Sequence, residues 1–126
     1  MWFQEFSMDI EAYYRRLEEF ADERDWEKFH SPKNLAMALS VECGELLEHF
    51  QWMTEAESRD LKNHSDNKKQ QVSEEIVDVF LYTLRLCQQL DVDLPGEIDK
   101  KMQKNAHKYP ADLVRGSAKK YYEYKK

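Results

Sequence analysis

Residues 66–90 read DNKKQQVSEEIVDVFLYTLRLCQQL. The apolar side chains Val72, Ile76, Val79, Phe80, Leu84, Cys87 and Leu90 recur at steps of three and four, the period of an α-helix with one buried face. Inside this stripe sit Glu75 and Asp78, three residues apart, which returns both side chains to nearly the same face. A second segment, SPKNLAMALSVECGELLEHFQW over 31–52, repeats the arrangement. There Leu35, Ala38, Leu39, Leu46 and Phe50 continue along the face that holds Glu42 and Glu45. Carboxylates belong on solvated faces, so two acid pairs embedded in apolar stripes point to a shared site between packed helices. Four acids in a partly dry site cost several kcal/mol per ion unless a cation balances them. Oxygen-only donors suit a hard divalent ion, Mg²⁺ or Mn²⁺.

Outward from these two segments the rest of the chain also reads as helix. Ile10, Tyr13, Tyr14, Leu17, Phe20 and Ala21 predict a first amphipathic helix over 9–25, with Asp9 as its cap. His30-Ser31-Pro32 marks a sharp boundary, because Ser is a good cap and Pro belongs in a first helical turn. Thr54 and Glu57 have capping-box spacing for a short helix. Asp93-Leu94-Pro95 opens a helix that ends before Pro110, packed through Ile98, Met102 and Ala106. Residues 111–126 lack strong periodicity and are expected to form a short helix or a basic arm. Gly 3 and Pro 3 in 126 residues, with 35% charged, fit long helices better than a sandwich or barrel. The expected fold is therefore all-α, a four- to five-helix antiparallel bundle formed by residues 1–126 as one domain.

The net charge of −6 conceals an asymmetry. Residues 100–126 carry nine basic and two acidic side chains, and the first 99 residues carry −13. An acidic body lacks the continuous positive footprint that a nucleic-acid polymer requires. A basic segment accompanying an acidic metal cage suits a small polyphosphate. No apolar run approaches a membrane span and no basic-then-apolar leader opens the chain, so a cytoplasmic location is expected. Cys43 and Cys87 lie within helical patterns and read as reduced thiols. A di-iron or di-manganese centre would need Glu-x-x-His motifs; His49 follows Glu45 by four residues instead, and reads better as a surface or satisfied histidine than as a ligand.

Glu42-Cys43-Gly44-Glu45-Leu46, Phe50-Gln51-Trp52 and Glu74-Glu75-Ile76-Val77-Asp78-Val79 together resemble the MazG-like all-α nucleoside triphosphate pyrophosphatases. Further segments resemble the dCTP pyrophosphatase branch: Arg24-Asp25-Trp26-Glu27-Lys28-Phe29-His30, Val92-Asp93-Leu94-Pro95, Lys101-Met102, Lys108-Tyr109-Pro110, Arg115-Gly116-Ser117 and Lys120-Tyr121. The resemblance covers about residues 9–121. It implies cleavage of a deoxynucleoside triphosphate to the monophosphate and pyrophosphate. It puts the metal on Glu42, Glu45, Glu75 and Asp78, and Glu45 is the candidate base. It implies nucleoside contacts from Trp26, His30, Trp52 and Tyr82, and phosphate or sugar contacts from Lys101, Asn105, Lys108 and Tyr109. Arg115 and Lys120 would reach phosphates from the C-terminal arm. Family members assemble as dimers or as tetramers made of two dimers, and a homotetramer is expected. The favoured substrate is dCTP or a modified cytosine nucleotide, with dATP also compatible, in clearance of the nucleotide pool. A different class of function also fits the composition: a catalytically idle helical oligomer that binds nucleotide or metal and serves as an interaction module.

Overall fold

A computed structural model describes residues 8–123, and every regular element among them is helical. The α-helices are α1 (Ile10–Glu23), α2 (Pro32–Phe50), α3 (Glu55–Asp60), α4 (Asn67–Gln89), α5 (Leu94–Lys108) and α6 (Ala111–Val114). Short 3-10 turns occupy Glu27–Phe29, Leu61–Asn63 and Tyr121–Glu123. The four long helices are those the apolar periodicity predicts; α3 and α6 raise the count to six, because a single turn fixed by a local cap needs no extended stripe.

Local chemistry sets the boundaries. The Ser31 hydroxyl accepts from the Asn34 N–H at 3.1 Å with Pro32 in the first turn of α2. Asp66 caps α4 through the Lys68 N–H at 3.2 Å, and Asp93 caps α5 through the Gly96 N–H at 3.3 Å. Thr54 accepts from the Glu57 N–H and donates to the Glu57 side chain, both at 3.1 Å, so the expected cap of α3 is present.

The end of α1 sets the direction in which the chain enters its next turn. Asp25 adopts φ 54°, in the left-handed region that Asp tolerates better than most side chains. Its N–H donates to the Asp22 carbonyl, and the Trp26 N–H reaches back to the Ala21 carbonyl at 2.9 Å. This pair of bonds closes the helix and turns the chain sharply. Trp26 is thereby laid edge-on against Phe20, ring centroids 5.7 Å apart.

The chain divides into two compact units, Met1–Asp91 and Val92–Lys126. In the first, α2 packs along α4 as the principal helix pair, and α1 adds a smaller contact with α4. Leu35 of α2 and Leu84 of α4 are fully buried, joined by Ala21, Leu61, Val72 and Cys87. The second unit holds α5, α6 and the final 3-10 turn. No helix among the described residues is long and apolar enough to cross a membrane.

Candidate functional site

The α2–α4 pairing brings three acids from two helices to one point. Glu42, Glu75 and Asp78 each offer a carboxylate oxygen, and the three oxygens lie within 4.8 Å of one another. Glu42 Oε2 and Glu75 Oε1 are buried and have no hydrogen-bond partner among the described residues. Two deprotonated carboxylates cannot donate to each other, so only a shared proton or a cation relieves them. The Glu75 carboxyl lying against it, and then burial, hold the Glu42 pKa above the usual carboxylate range. No lysine or arginine ion pair falls on these acids among the described residues. A compact set of oxygen donors with orphaned, buried acceptors is what a hard divalent ion requires.

Glu45 stands beside this set. Its carboxylate is exposed, outside the three-oxygen group, and its pKa is raised chiefly by the neighbouring Glu42 carboxyl. The spacing of three within α2 thus produces one inward carboxylate and one solvent-facing carboxylate next to it. His49, one turn further on, meets the Lys68 ammonium through Nδ1 at 3.0 Å, and takes no part in the acid group.

A cavity of about 290 Å³ opens beside Asp78. Leu17 and Phe20 of α1 and Trp26 and His30 from the turn after it form one side. Asp78, Leu81, Tyr82 and Arg85 of α4 form the other. Asp78 therefore belongs to both the acid cluster and the cavity wall. Trp26 also meets His30 in an edge-on arrangement, centroids 6.3 Å apart. Burial, and then the charges of Glu42 and Asp78, push the Tyr82 phenol upward, so it keeps its proton as a donor.

Arg85 is absent from the sequence-based site. It is the buried charged side chain of the described residues, 4% exposed. Its Nε donates to His30 Nδ1 at 3.1 Å, and its other nitrogens bond Glu27 and Gln88. Gln89 donates to the second Glu27 oxygen at 3.0 Å, and Gln88 donates to the Tyr14 carbonyl at 3.2 Å. Gln89 and Arg85 together hold the Glu27 pKa low. One cue was available: a lone arginine within the apolar run 79–87, where a long side chain more often reaches for solvent.

Trp26, His30 and Tyr82 line one cavity. Trp52 does not join them: it lies beyond the end of α2 and is 88% exposed. Lys101 and Asn105 are exposed on α5, with the half-buried Lys108 and the more open Tyr109 at its end. Arg115 and Lys120 are exposed beyond α6. These six residues belong to the second compact unit.

Residues 37–123 match the family model described as MazG-like. The chain is 46% identical over 110 residues to dCTP pyrophosphatase 1 of Homo sapiens, covering 86% of this chain and 64% of that protein. The protein of the same name from Rattus norvegicus is 46% identical over 108 residues, covering 85% and 63%. The chain thus spans somewhat under two thirds of the length of these curated relatives. A solved pyrophosphatase from Archaeoglobus fulgidus superposes with a TM-score of 0.74 at 39% identity, covering 86% of this chain and 99% of its own. With its helical pairing, its acid motifs and these matches in agreement, the chain belongs to the MazG-like family.

Proposed function

We propose that this protein hydrolyses a deoxynucleoside triphosphate to the monophosphate and pyrophosphate, with Mg²⁺ as the working ion and dCTP or a modified cytosine nucleotide as the favoured substrate. The observation that carries this reading is the sharing of Asp78 between the acid cluster and the aromatic cavity. Such a junction would suit a metal-held phosphate lying next to a base. The names of the relatives support the reaction and the base.

Glu42, Glu75 and Asp78 would hold the ion, with Glu45 completing the set from its solvent-facing position. When bound, the ion withdraws charge from phosphate oxygens and acidifies a water. The chain's own residues do the remainder. Glu45, exposed and with its pKa raised, is suited to take a proton at its carboxylate from an attacking water. Trp26 offers a ring for base stacking, worth about 1–3 kcal/mol. His30 and Tyr82 offer polar atoms on the cavity wall, while the hydrophobic side chains exclude water. Trp52, outside the cavity in the single chain, would contact nucleotide once a second chain or the substrate covers it. Lys101, Asn105, Lys108, Tyr109, Arg115 and Lys120 supply the positive and polar groups for phosphate and sugar. A homotetramer in the cytoplasm, clearing unwanted nucleotides, completes the proposal.

The test is chromatographic analysis of products after incubating the protein and Mg²⁺ with each ordinary dNTP separately. Monophosphate and pyrophosphate in equal amounts, with dCTP fastest, are expected. Release of inorganic phosphate would replace the reaction assigned here. No turnover with Mg²⁺ or Mn²⁺ would leave the interaction-module reading in its place.

A further inference from the structure

Arg85 is the least expected charge in the first compact unit. It is buried, it lines the 290 Å³ cavity, and it spends its guanidinium on protein partners. An arginine nitrogen always carries its proton, so in the 3.1 Å contact between Arg85 Nε and His30 Nδ1 the arginine is the donor. His30 Nδ1 must then present a lone pair, which leaves the imidazole proton on Nε2. Nε2 has no hydrogen-bond partner among the described residues, and His30 lines the cavity. Glu27 fixes Arg85 from the far side, and Gln89 fixes Glu27.

We infer that Arg85 is a positioning residue for nucleotide selection: it locks His30 as a neutral Nε2–H donor, so that the cavity reads a hydrogen-bond acceptor on the edge of the base. The inference rests on the nucleotide reading above. Burial and the Arg85 charge both push the His30 pKa down, which favours the same neutral ring. Cytosine presents two adjacent acceptors, N3 and O2, and an Nε2–H donor satisfies either. Uracil carries a proton on N3, so the same donor aimed at that atom meets another donor and is left only the O2 and O4 carbonyls on either side. A histidine free to change tautomer would present an acceptor part of the time and lose this distinction. Arg85 acts through His30, its guanidinium being engaged by His30, Gln88 and Glu27, which separates its role from that of a stacking or ligating side chain.

The experiment reads the His30 ring nitrogens by ¹⁵N–¹H long-range correlation in the metal-free protein, with dCMP and dUMP as probes and calorimetry for affinity. Wild type is expected to carry the ring proton on Nε2, and dCMP is expected to shift the Nε2 resonance more than Nδ1. Arg85→Lys, which keeps a charge but loses the planar fork, should give a mixture of tautomers and weaken dCMP binding roughly tenfold, with a smaller effect on dUMP. A proton on Nδ1 in wild type would overturn the inference, and this readout needs no variant. So would dCMP binding that leaves Nε2 unmoved, or a folded Arg85→Lys protein that keeps both the single tautomer and full affinity. If dCMP does not bind although the Nε2–H form is seen, the nucleotide reading fails and the assigned ligand falls with it, while the lock on His30 stands.

Discussion

At the scale of single residues, the acid cluster carries a signature that can be measured without any substrate. A carboxylate whose pKa is raised by folding, as Glu42 is, contributes stability below its unfolded value near 4.5 and loses that contribution as pH rises through the folded pKa. Above that range the metal-free protein holds mutually repelling charges. Glu42→Gln removes one charge with little change in shape. In the presence of a chelator at pH 8, the variant should therefore melt higher than wild type, by on the order of 2–5 °C, and the gap should close towards pH 4.5. Millimolar Mg²⁺ should stabilise wild type more than the variant. His30 has the opposite sign: its pKa is lowered, so stability falls as pH drops below about 6.5. That contribution is common to both proteins and cancels in their difference. Equal melting at pH 8 without metal would contradict the repulsion inferred from the buried, orphaned oxygens.

At the scale of elements, what was legible depended on how local its cause is. Ser31 and Asp93 cap the helices they precede, and each acts within three residues, so the starts of α2 and α5 could be read directly, whereas the start of α4, capped by Asp66, falls in a polar stretch that reads equally as loop or helix start. The acids were legible for the reverse reason: they contradict the apolar faces that hold them. Arg85 also interrupts an apolar face, yet its meaning is set by His30 and Glu27, 55 and 58 residues away. Periodicity says nothing of such distant partners. The α1 exit was half legible: a break was visible near residue 25, while the left-handed Asp25 that swings Trp26 onto Phe20 was not. Asp25→Val should therefore cost about 1–2 kcal/mol in denaturant unfolding, because a β-branched side chain resists that conformation. Asp25→Gly, which relieves it, should not show this loss. A Val variant as stable as wild type would show that the turn is not held as described.

At the scale of the whole molecule, the core of the described residues is thin and the apolar surface is large. Six hydrophobic side chains are buried, whereas Val41 and Leu47 of α2 are 59% and 63% exposed, and Ile76 and Val77 of α4 are about half exposed. Trp52 extends the same excess at the end of α2. Scattered exposed apolar residues are normal and occur elsewhere in the chain, but these four share the two helices that also build the acid cluster. A second copy of the chain covering α2 and α4 would remove them from water, at roughly 25 cal/mol per Å² buried. It would also surround Trp52 and bring a wall to the open side of the site. The proposed tetramer thus has an energetic basis independent of family habit. Light scattering coupled to size exclusion should give a mass of two or four chains at micromolar concentration. Val41→Glu combined with Leu47→Glu should shift that mass towards one chain, since four charges would enter each symmetric contact formed by two copies. The same variant should lose Trp52 fluorescence shielding if the tryptophan lies within the contact. A wild-type chain that remains monomeric at high concentration would show that α2 and α4 keep these residues in water, and that the site is complete within one protomer.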